Sequence, residues 1–242
     1  MLSAYNQSGE VMATEVSPED GPFSCPACRE QVILKQGRKV IAHFAHYPET
    51  TCTYTNEGES DEHRLAKLEI YRALLQAPGV SDVRVERYLQ EVRPDVSFVL
   101  NGQLVAVEIQ VSQLSRDDIA RRTTAYARKD IAVLWTPLLV AEVGREAYAP
   151  KDWERYLHAM YYGRVYYFAE NLELQPITFE GYLVAARSWY APERRSKRFV
   201  TTIPHSPVLM TDLVPRWRSA WRDLPRAKLW CEPWRESKQD DE

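Results

Sequence analysis

Residues 93–112, RPDVSFVLNGQLVAVEIQVS, read as two strands around a two-residue turn. Asn101-Gly102 is a dipeptide that hairpin turns favour, because both residues tolerate positive φ. With that turn Leu100 pairs with Gln103, and the same register sets Asp95 opposite Glu108 and Arg93 opposite Gln110. Alternation gives one face Val96, Phe98, Leu100, Val105, Val107, Ile109 and Val111, which is core. The other face carries Asp95, Ser97, Val99, Leu104, Ala106, Glu108, Gln110 and Ser112. Two carboxylates facing each other about 5 Å apart at Cβ destabilise a hairpin unless compensated. A divalent cation such as Mg²⁺ or Mn²⁺ compensates them; a solvated strand edge or a pairing with Arg93 is the alternative, and spacing leaves both open.

Upstream, ESDEHRLAKLEIYRALLQAPG (residues 59–79) has helical spacing, with Ser60 as N-cap and Pro78-Gly79 as the stop. At 100° per residue, Glu59, His63, Lys67 and Ile70 share one side, and Leu65, Leu68, Tyr71 and Leu75 form the adjacent, buried one. An acid, an imidazole and an amine therefore border the core, either as part of a site or as a solvated face of paired charges. A strand-like VRVERYL (83–89) follows, then the hairpin, a helix SRDDIARRTTAYARK (115–129) and a strand IAVLWTP (131–137). The predicted order is αβββαβ. Beyond it, KDWERYLHAMYYG (151–163) reads as a helix and RVYYFA (164–169) as a strand.

The N-terminal block FSCPACREQVILKQGRKVIAHFAHYPETTC (23–52) holds Cys25 and Cys28 in a CxxC, two short strands, then His43, His46 and Cys52. These are five candidates for a four-coordinate Zn²⁺. A redox CxxC should follow a strand and open a helix, whereas Pro22 and a polar segment precede this one. The segment HFAHYPETTC resembles the second half of the zinc ribbons of DNA topoisomerases, which implies Cys25, Cys28, His46 and Cys52 as ligands, with His43 the alternative. Such a zinc would contribute folding stability rather than catalysis.

The 242-residue chain has a net charge of −3, so a nucleic-acid partner has to be argued from local clustering. Between Arg187 and Lys228 ten Lys or Arg stand against three Asp or Glu, interleaved with Trp189, Trp217 and Trp221. That composition suits single-stranded DNA. Alternatively, Trp217 and Trp221, four apart, form the packing stripe of an amphipathic helix. Cys231 is expected in the core. No run of 18 apolar residues and no signal-peptide pattern occurs, so a cytoplasmic location without a membrane span is expected.

The order αβββαβ, with an acid on the first helix, Asp on the second strand and Glu-x-Gln on the third, resembles the PD-(D/E)xK nuclease superfamily. More closely, FSCPAC, HFAH, ESDEHRLAK, PDVSF, VEIQVSQLS, RRTTAY and YYGRVYYF resemble, in that order, the competence protein CoiA family. The resemblance spans roughly residues 20–180. It implies an α/β (α+β) chain in three parts: a small zinc-ribbon-like β unit (1–56), a restriction-endonuclease-like domain (57–140) and a mainly helical, Trp- and Arg-rich C-terminal region (141–242). The implied activity is metal-dependent cleavage of DNA, processing incoming strands in natural transformation; a non-cleaving DNA-binding accessory of recombination is the alternative. Asp95, Glu108 and Glu59 would hold Mg²⁺ or Mn²⁺, and Gln110 takes the place usually held by lysine. Lys67 could supply that missing cation, with His63 as proton carrier or substrate contact. Arg93, Ser112, Arg122 and Tyr126 are the implied DNA contacts. The implied partners are DNA, single-stranded above all, and a recombinase or other competence proteins.

Overall fold

The computed structural model describes residues 1–38, 40–52, 59–111, 114–186 and 193–233. Ser112 and Trp189 lie outside them. The chain is a mixed α+β protein, mostly sheet with few helices, and it divides into two compact units, Met1–Gln113 and Leu114–Glu242.

The first unit opens with an antiparallel sheet of β1 (Ser3–Asn6), β2 (Gly9–Met12), β3 (Phe23–Ser24), β4 (Gln31–Gly37) and β5 (Val40–His46), in the order β2-β1-β3-β4-β5. Met1, Phe23, Val32 and Phe44 form its small core. Helix α1 (Asp61–Gln76) starts where the sequence predicts: the Ser60 hydroxyl accepts the His63 N–H at 3.3 Å, leaving that donor satisfied. It is followed by β6 (Val80–Val85), β7 (Val96–Leu100) and β8 (Gln103–Gln110), an antiparallel ribbon against which α1 packs.

The hairpin has the predicted register, with Leu100 opposite Gln103 and Val96 opposite Val107. Asn101 (φ 51°) and Gly102 (φ 77°) make the turn. The ladder ends at Val96, so the expected pairings of Asp95 with Glu108 and of Arg93 with Gln110 fall just beyond it. Both faces of β8 are buried: Val105, Val107 and Ile109 on one side, Ala106, Glu108 and Gln110 on the other. The acids therefore occupy no solvated strand edge.

The burial of α1 departs from the expectation. Leu68 is buried with Tyr71 packed beside it, as expected, but Leu65 and Leu75 are exposed, while Lys67, Ile70 and Leu74 are buried. The stripe that turns inward is the one carrying His63 and Lys67, because its charges find partners there, as described below.

The second unit contains α2 (Arg116–Arg128), β9 (Ala132–Pro137), α3 (Asp152–Met160), β10 (Val165–Glu170), β11 (Glu173–Val184), β12 (Arg194–Pro204), β13 (Val208–Leu209), β14 (Val214–Arg218) and β15 (Ala227–Cys231). Strands β10, β11 and β12 form an antiparallel sheet with β13 on β11; β15 pairs parallel to β9 and antiparallel to β14. Helix α3 and strand β10 match the sequence reading. The mainly helical character expected of residues 141–242 does not: strands dominate, and Trp217 lies in β14 rather than on a helix with Trp221. The stretches VPRWR and AKLWC each bring alternating or apolar β-forming residues into register with a partner strand, and that pairing overrides the i, i+4 spacing. Cys231 is buried, as expected.

The left-handed turn gives a direct stability test. Gly102→Val has open space for its side chain but a strained φ, so it should cost about 1–2 kcal/mol. A urea unfolding midpoint unchanged from the native chain would disprove the turn.

Candidate functional site

Lys67 is the centre of the site. Its ammonium is 1% exposed and lies against three carboxylates: it is ion-paired with Glu59, 2.6 Å from Glu86 Oε1 and 3.8 Å from Asp95 Oδ1. A buried amine without anions would lose its proton or unfold its surroundings. Burial opposes the charged form, but Glu86, Asp95 and Glu59 more than offset it and hold the Lys67 pKa above its ordinary value.

Each carboxylate has a second anchor. Glu86 Oε2 accepts the backbone N–H of Leu2 at 2.8 Å, which joins the N-terminal sheet to this cluster. Asp95 Oδ2 accepts the N–H of Ile109 at 2.8 Å, so the side chain crosses to β8 where the ladder has stopped. Glu59 lies before the N-cap of α1, and its Oε2 is 3.4 Å from Arg64 Nε. His63, one turn before Lys67, bridges two of the acids, with Nδ1 3.2 Å from Glu59 Oε1 and Nε2 3.0 Å from Asp95 Oδ2.

These contacts set the protonation states. Burial alone would lower the His63 pKa, yet the adjoining Asp95 and Glu59 carboxylates raise it to about 9. Burial likewise works against ionised Glu59, but His63 and Lys67 bring it down to about 2. Glu86, fully buried, is held well below its usual range chiefly by Lys67, with the Arg93 charge contributing. At neutral pH the cluster is three carboxylates facing an ammonium and an imidazolium.

Glu59, His63 and Asp95 can each direct one donor atom to a common point, since those atoms all lie within 4.8 Å of one another. Two carboxylate oxygens and an imidazole nitrogen could hold a metal ion, with His63 giving up its proton to do so. Glu108 is not in this set. It is buried next to Ile109, the residue whose amide holds Asp95, and Gln110 is buried one position further on. Of the expected DNA contacts, Arg93 lends its charge to Glu86, Arg122 sits over the Trp135 ring at 5.0 Å, and Tyr126 is wholly buried. Sequence reasoning missed Glu86 and Arg64. The signal for Glu86 was a single acid closing a Val-rich run.

The second cluster lies in the N-terminal sheet. Cys25 and Cys28 occupy the turn between β3 and β4, His46 ends β5, and Cys52 follows it; one donor atom from each lies within 4.8 Å of the others. Ala27 N–H points at Cys25 Sγ at 3.4 Å, Cys28 Sγ is 3.3 Å from His46 Nε2, and Arg29 takes positive φ (64°) to turn the chain back. Burial, with the neighbouring Cys52 and Cys25 thiols, pushes the Cys28 thiol up to about 12, so that sulfur calls for a cation before it ionises. The four could hold a metal ion. His43 is not among them; its Nδ1 lies 2.8 Å from the Ile41 carbonyl oxygen.

Comparison with known proteins follows the same division. Residues 6–55 match the family model of the competence protein CoiA N-terminal domain, and residues 59–155 that of the CoiA nuclease-like domain. Over 115 residues the chain is 30% identical to competence protein CoiA of Bacillus subtilis (strain 168), a match covering 47% of this chain and 30% of that protein. No solved structure matches.

The shared anions of Lys67 should make it and Glu86 energetically coupled. Glu86→Gln and Lys67→Met, each leaving buried charge without its partner, should each cost about 3 kcal/mol in urea unfolding. The double variant should cost at least about 1 kcal/mol less than their sum. Strict additivity would mean that the ion pair is not formed.

Proposed function

We propose, from the premise that the chain belongs to the competence protein CoiA family, that it hydrolyses DNA phosphodiester bonds with a divalent metal ion. The observation carrying this reading is the convergence of Glu59, His63 and Asp95 beside a buried Lys67. Glu59, His63 and Asp95 would hold the ion, and Glu108, buried beside them on β8 though outside that set, is proposed to act on it as the second acid of the hairpin motif. Mn²⁺ suits an imidazole among the donors better than Mg²⁺ does. When bound, the ion would supply an activated water and polarise a phosphate oxygen.

The residues of the chain do the rest. Lys67, charged at any working pH, places a fixed positive potential beside the reacting phosphate. If the carboxylates alone held the ion, His63 could instead carry a proton on the ring nitrogen that faces Asp95. Gln110 orients water by hydrogen bonds without adding charge. Residues 57–140 would form the cleaving domain, with residues 1–56 as its zinc-bearing unit and residues 141–242 as a C-terminal part. The substrate would be incoming single-stranded DNA in natural transformation, a recombinase or other competence proteins would act with the chain, and the location would be cytoplasmic. Among the described residues no helix is long and apolar enough to cross a membrane.

A second reading rests on Lys67 itself. Its ammonium already neutralises the acids that a metal would use, which favours a DNA-binding accessory of recombination that does not cleave.

Incubation of single- and double-stranded DNA with Mn²⁺, Mg²⁺ or no divalent ion separates the two. Cleavage should need the metal and fall at least about 100-fold in Asp95→Ala and Glu108→Ala. Cleavage that persists in Asp95→Ala would refute the assigned centre, and binding without cleavage in every metal would favour the accessory role. Gln110→Lys should lower the rate, because a second buried ammonium would compete with Lys67 and the metal for the same acids; faster cleavage would mean that the amide limits the chemistry.

The N-terminal cluster is assigned to structural Zn²⁺, four donors with no open position. The purified chain should contain one zinc per molecule by elemental analysis. His46→Ala should lose it and His43→Ala keep it; the reverse pattern would exchange the ligands.

A further inference from the structure

The edge of the second unit carries cations stacked on aromatic rings. Strand β14 is the terminal strand of its sheet, and the loop 219–226 joins it to β15. Arg216 and Arg218 sit over the Tyr162 ring with Cζ 4.3 and 4.5 Å from its centroid. Arg226 lies over Trp217 at 4.6 Å, with Lys228 on the same ring at 5.7 Å, and Arg222 lies over Trp221 at 4.5 Å. The rings are nonetheless open to solvent: Tyr162 is 43%, Trp217 45% and Trp221 51% exposed.

Among the described residues Arg218, Arg222 and Arg226 make no ion pair, and Arg218 Nε is buried without a hydrogen-bond acceptor. Trp221 and Arg222 also line a cavity together with Arg116, Arg155, Asp152 and Asp223. A charged edge strand by itself is a familiar defence against edge-to-edge pairing. That defence needs charge, and exposed indole and phenol rings work against it. Cations held over exposed rings instead match a polymer that alternates anions with flat apolar groups.

We propose that the β14–β15 hairpin and the Tyr162 beside it form a binding surface for single-stranded nucleic acid, its arginines meeting phosphates and Trp217, Trp221 and Tyr162 meeting unstacked bases. Alternation along β14 sends Trp217 to one face and Arg216 and Arg218 to the other, so the strand would follow the sheet edge with contacts on both sides. In a duplex the base faces are already stacked and unavailable to these rings. The surface lies in residues 162–228, largely beyond the nuclease-like match that ends at 155. It shares with the nuclease reading only the class of polymer.

The test uses the full chain without added divalent ions and a fluorescein-labelled oligo-dT, read by anisotropy and by tryptophan quenching. Charge reversal at Arg218→Glu with Arg226→Glu should raise Kd at least about tenfold and flatten its dependence on salt. Trp217→Ala, at an exposed ring, should weaken binding and reduce the quenching while leaving the thermal melt in place. Native-like Kd in both variants, or equal affinity of the native chain for duplex, would overturn the proposal; unchanged Kd would leave a protein partner as the reader of this edge. Hydrolysis of bis(p-nitrophenyl) phosphate with Mn²⁺ is measured in parallel on the native chain and the variants. If that hydrolysis is absent from every chain while oligo-dT binding depends on the arginines, the nuclease reading fails and this one stands.

Discussion

A lysine ammonium removed from water fixes the geometry of the first unit. Lys67 is tolerable only where anions surround it, and the fold supplies three from three different places: Glu59 before α1, Glu86 after β6 and Asp95 before β7. Each place is the end of an element, where the backbone leaves its regular path. Glu86 takes φ 54°, and Asp95 stands one residue outside the ladder, so its carboxylate is free of strand alternation and can accept the Ile109 amide. The cluster thus ties helix, hairpin and, through Leu2, the N-terminal sheet to one charge.

The same charge balance governs chemistry. Lys67, protonated His63 and the Arg64 guanidinium beside Glu59 together balance the three carboxylates, which makes their burial tolerable. On the proposed reading Glu59, His63 and Asp95 would hold a metal ion in place of the His63 proton, while Lys67 would keep its Glu86 contact outside that set. The imidazole is then the exchangeable cation and the ammonium the permanent one.

The hairpin was legible because its turn has one low-energy solution: Asn101-Gly102 fixes the register, and the register fixes the faces. Helix α1 was legible in its ends and not in its orientation. Apolar periodicity points Leu65 and Leu75 inward, yet ion pairing of Lys67 wins, since Ile70 and Leu74 share that stripe and supply the burial. Glu86 was missed because an acid closing a Val-rich run does not reveal its partners, which are 19 and 84 residues away. The choice of His46 over His43 likewise depends on how β5 enters the cysteine cluster. Trp217 and Trp221 were misread for a plainer reason, that i, i+4 spacing carries no weight when a partner strand such as β15 is available.

Gln110 acquires a physical reason from this arrangement. It is buried, so a lysine at that position would need an anion of its own. Glu59, Glu86 and Asp95 are already committed to Lys67, and Asp95 and Glu59 also to His63. A second buried ammonium would therefore compete with Lys67 for the same acids or with a metal for Asp95. An amide avoids that competition while keeping two donors and an acceptor for ordering water. On the proposed reading the lysine absent from the strand would be supplied by the helix, where the acids hold it.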